Sequence, residues 1–222
     1  MAAPGRATAP PARSNGTAPA NGRPNGADLR RSILDQARLL LLAEGYQNLS
    51  MRRIARAAGC SATSIYLHFD DKDALVHALI DEGMGQLHDQ LESAESGLAD
   101  PDARLEAMSR AYVRFGLENA ELYEAMFLLH PEQMARYPAE KYRRARRALG
   151  RFAGPLGAPG SAGRTLTVDD PEIASSVLWA SLHGAVSLLL AHRIDVRIDR
   201  EGFVEATIQH ALAGLRSAPA SA

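Results

Sequence analysis

The sequence predicts an all-α fold on three observations. Apolar residues recur at helical spacing from Asp28 to Leu215, no segment alternates convincingly like a strand, and glycine or proline divides the chain into helix-length pieces. With 222 residues, of which 46% are hydrophobic, the chain is long enough to bury one large core or two modest ones.

The elements follow in order. Residues 1–26 consist largely of Ala, Pro, Gly, Asn, Thr, Ser and Arg, the composition of a disordered arm. Its Arg6, Arg13 and Arg23 have no acidic neighbour, so the arm reads either as a solvated tail or as a basic segment that follows phosphates. From Asp28 a helix turns Ile33, Leu34, Ala37, Leu40 and Leu41 inward and ends near Gly45. Ser50 is placed to cap the next helix, which buries Met51, Ile54, Ala55 and Ala58. Gly59 supplies a turn in left-handed backbone, and Cys60 fills the small corner behind it. Ser61 caps a helix over 62–69 whose Ile65 and Phe69, four apart, dock inward. That leaves Ala62, Thr63, Ser64, Tyr66 and His68 facing out.

Asp70 or Asp71 can cap a fourth helix starting near Lys72, with Leu75, Ala78, Leu79 and Leu87 inward and its stripe running toward Leu91. Gly97 and Asp100-Pro101 interrupt the pattern, and Pro101 opens a helix bearing Leu105, Met108, Tyr112 and Phe115. Residues 119–129 put Leu122, Met126 and Leu129 on one face and Tyr123 and Phe127 on the adjacent one, until Pro131 ends the run. Residues 132–152 read as a basic helix and 154–163 as a flexible loop. Pro171 opens a long helix through His192, residues 200–215 form the last helix, and 218–222 are a disordered tail.

Two short helices joined by a glycine turn, the second presenting a short polar and aromatic outward set, have the layout of a helix-turn-helix that reads the major groove of DNA. The residues in this tract are Ser50, Arg52, Ile54, Ala55, Ala58, Gly59, Cys60, Ser61, Ile65, Tyr66, His68, Phe69 and Lys72. In order and spacing they resemble the N-terminal domain of TetR-family transcriptional regulators. Cys60 stands where that family usually carries Val, a change between small apolar side chains. The resemblance implies an N-terminal three-helix DNA-binding domain over 27–73 and a C-terminal helical ligand-binding and dimerisation bundle over 74–217. The stretch NAELYEAMF at 119–127 is similar to one common near the ligand pocket of such regulators. Trp179, His183 and Gly184 resemble the Trp-His-Gly signature of one C-terminal subgroup.

Arg52 is the candidate for bidentate reading of a guanine edge, Thr63 and Ser64 for shorter base contacts, and Ala62 for a thymine methyl. Ala62 departs from the long polar residue frequent in the family. Tyr66, His68 and Lys72 resemble the family's phosphate clamps, each able to donate to phosphate oxygens. A homodimer would read an inverted-repeat operator with half-sites about 34 Å apart, or a small multiple of that. The charge distribution agrees. Residues 1–72 hold ten Lys or Arg and five Asp or Glu, whereas the remainder holds fifteen and twenty-one, so a front of +5 precedes a body of −6.

Met108, Tyr112, Phe115, Tyr123, Met126, Phe127, Trp179 and His183 supply the walls that a small apolar or aromatic effector needs, although each alone reads equally as core. The helix from Pro171 is apolar almost all round and needs cover on every side. Val177, Ala185, Leu188 and Leu189, with Ile208, Ala211 and Leu215 of the last helix, are the expected faces of a symmetric dimer; the core of a monomer is the other reading. The basic run Lys141, Arg143, Arg144, Arg146, Arg147 and Arg151 looks like a second nucleic-acid patch. Glu118, Glu121, Glu124, Glu132 and Glu140 lie near it and favour an ion-paired, solvated face.

The single Cys60 cannot form an internal disulfide, no secretory signal is visible, and the apolar stretch at Val186–Ala191 is too short to span a bilayer. The chain reads as a cytoplasmic protein with no membrane partner. Its histidines and carboxylates include no HExxH, Gly-x-Ser-x-Gly elbow or phosphate-cradling glycine loop, and His77 with Asp81 or His88 shares only helical spacing. Neither catalysis nor a metal or cofactor is expected. A ligand-independent DNA-binding dimer is the alternative.

Overall fold

The computed structural model describes residues 26–127, 147–156 and 170–215. The expected N-terminal arm with Arg6, Arg13 and Arg23, the basic residues Lys141, Arg143, Arg144 and Arg146, the loop from 157 to 163 and the tail at 218–222 lie outside the described residues. The described residues contain no strand, residues 147–150 are helical, and the named helices are α1 (Gly26–Asn48), α2 (Met51–Ala57), α3 (Ala62–Tyr66), α4 (Lys72–Glu95), α5 (Pro101–Glu118), α6 (Ala120–Phe127), α7 (Ala153–Leu156), α8 (Pro171–Leu190) and α9 (Arg200–Ala213).

Short polar side chains start these helices by accepting from otherwise unpaired backbone N–H groups. Ser50 accepts from Arg53 N, Ser61 from Ser64 N, Asp71 from Ala74 N, Asp100 from Ala103 N, Asp170 from Glu172 N and Ile173 N, and Asp199 from Gly202 N. Asp71, rather than Asp70, is thus the cap of α4. Pro101 and Pro171 occupy first turns, where a missing N–H costs nothing.

Three boundaries differ from the sequence expectation. Helix α1 does not stop at Gly45 but continues to Asn48 across a kink, with Gly45 at φ 73°, ψ 167°. Helix α3 ends at Tyr66 rather than at residue 69, because the chain tightens there: Leu67 N donates to Ser64 O and His68 N to Ile65 O, each only three residues back. The tightened turn still delivers Phe69 to the core. Helix α8 ends at Leu190, two residues short of His192, and where the sequence offered only the short apolar stretch Val186–Ala191, the whole helix is by length and composition alone apolar enough to cross a membrane. Its packing against α5, α7 and α9 is that of a core helix.

Helix α4 is the spine. It packs on α1, α5 and α6, while α5 also meets α7, α8 and α9. Helix α6 folds back onto α1, so one hydrophobic cluster runs unbroken from Ile33 in α1 to Leu212 and Leu215 at the end of α9. Two glycines allow close approach. A Cβ on Gly83 would meet Met126 of α6, and one on Gly116 would lie 2.6 Å from Val186 Cγ1 of α8.

Candidate functional site

Helix α2 packs on α1 and helix α3 packs on α2, with Met51, Ile54, Ala55 and Ile65 all buried. Gly59 at φ 70° makes the turn between them, and Cys60 N donates back to Ala55 O at 2.9 Å. Burial pushes the Cys60 thiol above its ordinary range. With one face of each helix spent inward, Arg52, Ala62, Thr63 and Tyr66 stand exposed, and His68 is half-buried. Ser64 is drawn aside, its hydroxyl 2.7 Å from that of the capping Ser61. Sequence reasoning missed two exposed members of this surface. Arg56 lies four residues after Arg52, the spacing that returns a side chain to the same helix face, and forms no ion pair among the described residues; Leu67 is 80% exposed where α3 ends. The i, i+4 pair of arginines was legible, but Leu67 became visible only with the early end of α3.

Lys72 is placed differently from a free phosphate clamp. Its ammonium donates to Tyr46 O at 3.0 Å and lies 3.9 Å from the centre of the Tyr46 ring. The Tyr46 hydroxyl donates to the carboxylate of Asp73. On the other side of Gly45, Glu44 accepts both terminal guanidinium nitrogens of Arg53, so Arg53 is committed within the head.

In the second domain five of the eight expected pocket residues, Tyr112, Tyr123, Phe127, Trp179 and His183, form a packed cluster. Met108, Tyr112, Phe115, Tyr123 and Met126 are buried, and Phe127, Trp179 and His183 are half-buried. Tyr112 meets Tyr123 edge-on at 6.1 Å, and Tyr123 stacks on His183 at 5.6 Å. A chain of hydrogen bonds threads the cluster: Trp179 Nε1 to the Tyr112 hydroxyl at 2.8 Å, Tyr112 to Tyr123 at 2.9 Å, Tyr123 to His183 Nδ1 at 2.5 Å. Burial pushes Tyr112 up to about 12, raises Tyr123 as well, and lowers His183. Trp179 also walls a cavity of about 420 Å³ with Arg147, Leu149, Glu172 and Ser175. A larger cavity of about 950 Å³, between α5, the end of α8 and the start of α9, is lined by none of the eight.

Four of the seven residues expected to face a partner, Ala185, Leu189, Ile208 and Leu215, are instead buried within the chain, because α9 lies against both α5 and α8. Ala211 is half-buried, while Val177 and Leu188 are 57% and 43% exposed. They share one stripe of α8 with Ile173, Ala180 and Gly184, at steps of three and four residues.

Comparison with known proteins matches both halves. Residues 33–79 fit the family model described as bacterial regulatory proteins, tetR family, and residues 105–211 fit the tetracyclin repressor-like C-terminal domain. The chain belongs to the TetR family. Over 53 residues, 24% of its length, this TetR-family chain is 47% identical to the HTH-type transcriptional repressor Rv1474c of Mycobacterium tuberculosis. The matched stretch spans 28% of that repressor, about a quarter of its length. Among solved structures, it is similar to a protein with unknown function from Rhodococcus sp. RHA1, at TM-score 0.72 and 26% identity, covering 89% of this chain and 99% of that one. The transcriptional regulator FadR from Bacillus subtilis in complex with stearoyl-CoA shares the fold at TM-score 0.67 and 18% identity, over 83% of this chain and 98% of that one.

Of the basic run, Arg151 of this TetR-family chain is ion-paired to α4. Arg151 donates to Glu95 of α4 at 2.5 Å and reaches Glu92 at 3.4 Å, and Arg104 of α5 joins it on Glu95. Burial pushes the Glu95 carboxyl up, but donation from Arg104 and Arg151 outweighs it and holds Glu95 below its ordinary range. Arg151 and Glu95 are 56 residues apart, so no local spacing encodes this pairing. Arg147 is exposed.

Proposed function

We propose that this protein is a ligand-responsive, sequence-specific DNA-binding transcriptional regulator, a repressor released from an inverted-repeat operator by a small apolar or aromatic molecule. The observation that carries this reading is the capped α2–turn–α3 unit, whose inward residues are fully spent and whose outward ones are of base- and phosphate-contacting type. Helix α3 lies in the major groove. Arg52 reads a guanine edge, Thr63 and Ser64 make shorter base contacts, Ala62 meets a thymine methyl, and Tyr66 and His68 hold phosphates. The α8 stripe of exposed Ile173, Val177, Ala180 and Leu188 and half-buried Gly184 packs against its copy in a homodimer, with Ala180 and Gly184 allowing close approach. The cavity beside Trp179 admits the effector to the aromatic cluster. A protein of the same fold that holds stearoyl-CoA supports a small-molecule role for such a bundle.

Selection of duplexes from a random pool tests the reading. The expected product is an inverted repeat with half-sites about 34 Å apart or a small multiple of it, and Arg52→Ala loses discrimination at particular bases, worth about 1–3 kcal/mol each. A pool that leaves selection unenriched overturns it. Complete burial of Tyr112, Tyr123 and Phe115, with both tyrosine hydroxyls hydrogen-bonded, favours a second reading in which the bundle only dimerises. Thermal shifts against a metabolite panel separate the two, because a ligand that binds the native state raises stability by mass action.

A further inference from the structure

The kinked end of α1 touches both the reading helices and the long helix that enters the bundle. Only glycine adopts φ 73°, ψ 167° without strain, so Gly45 turns the chain sharply between Glu44 and Tyr46. Glu44 then reaches Arg53 of α2, and Tyr46 reaches the first two residues of α4. Tyr46 is held at three points: its carbonyl and its ring face by Lys72, its hydroxyl by Asp73. The carbonyl also accepts from Leu49 N at 3.2 Å, so both of its lone pairs are used. Lys72 is half-buried by this arrangement, and its charge is spent on an internal carbonyl and an aromatic face.

We propose that this joint is a latch that sets the reading head on α4, in which Lys72 is a positioning residue and not a phosphate clamp. A displacement of the start of α4 pulls on Tyr46, and through Gly45 on Glu44, Arg53 and α2, which carries α3. The proposal rests on the DNA-binding reading above and assigns that reading its mechanical link. It makes the grip on Tyr46, rather than a charge presented to DNA, the reason that Lys72 matters.

The test uses the full chain and the duplex recovered by selection. Operator affinity is measured across a salt series for wild type, Lys72→Met, Tyr46→Leu and the double variant. A latch predicts that each single variant binds about fivefold or more weakly. It further predicts that the double variant is no weaker than the worse single one, and that Lys72→Met keeps the wild-type slope of log affinity against log salt. The latch is overturned if Lys72→Met flattens that slope by about 0.9, the signature of one lost phosphate contact, while Tyr46→Leu binds normally. Additive losses overturn it too. If Tyr46→Leu fails to fold by circular dichroism, Tyr46→Phe removes only the hydroxyl contact to Asp73, at unchanged net charge, and carries the same comparison. Weaker binding at unchanged slope is then expected, and unchanged affinity refutes the latch. A wild type that enriches no duplex removes the DNA-binding reading and the latch together, whereas a binding wild type with a flattened Lys72→Met slope removes the latch alone.

Discussion

At the scale of single residues, the buried hydrogen-bond chain has one fixed donor. An indole N–H can only donate, so Trp179 gives its hydrogen to Tyr112, and the Tyr112, Tyr123 and His183 Nδ1 contacts complete the chain. The other His183 nitrogen, Nε2, lies 3.4 Å from the Ser187 hydroxyl. Burial favours the neutral imidazole by lowering His183 from its ordinary 6.5. The unfolded chain therefore takes up a proton near pH 6.5 that the folded chain resists. The stabilisation from the neutral ring is complete above that pH and declines as pH falls toward the folded value. Thermal unfolding should show a melting temperature that drops between pH 7.5 and 5.5, and His183→Gln should lower the baseline but flatten the drop. An equally steep drop in the variant would assign the acid sensitivity elsewhere.

At the scale of helices, the two close crossings of α4 with α6 and of α5 with α8 differ in what opposes them. A Cβ at Gly116 would press on Val186 Cγ1 at 2.6 Å and on the Tyr123 ring at 3.1 Å, both stiff. One at Gly83 would press on Met126, at its sulfur and at Cγ 2.8 Å away, and lie 3.1 Å from Leu122 Cδ1, but the unbranched Met126 chain can swing aside. Alanine gains up to about 1 kcal/mol in helix propensity at either position, against an overpacking cost of about 1–3 kcal/mol. Gly116→Ala should therefore lower the melting temperature, while Gly83→Ala should leave it nearly unchanged; equal effects would contradict this account of the crossings. Helix starts were legible in the sequence because a cap is a local device: Ser50, Ser61 and the left-handed Gly59 could be read from a few neighbouring residues. The early end of α3, the continuation of α1 beyond Gly45 and the pairing of Arg151 with Glu95 were not. The last is decided by tertiary contact, since Arg151 and Glu95 are 56 residues apart. Likewise, composition could nominate the aromatic cluster, but no spacing rule reveals that its hydroxyls satisfy one another.

At the scale of the whole molecule, what is left exposed matters as much as what is buried. Ile173, Val177 and Leu188 stand 64%, 57% and 43% exposed on one stripe of an otherwise core helix. Leu188→Glu should leave thermal stability of the isolated chain within about 0.5 kcal/mol, since an exposed site tolerates charge. It should convert a dimer to a monomer in sedimentation or light scattering, and a variant that remains fully dimeric would move the partner interface away from α8. The buried cluster has a different consequence. Because it passes through α1, α4, α6 and α9 without a seam, the head has no private interior, and excising it would strip Ile33, Leu34 and Leu41 of their cover. The chain should then melt in a single cooperative step, and any compound that tightens the bundle would be felt as added rigidity at the far end without touching it.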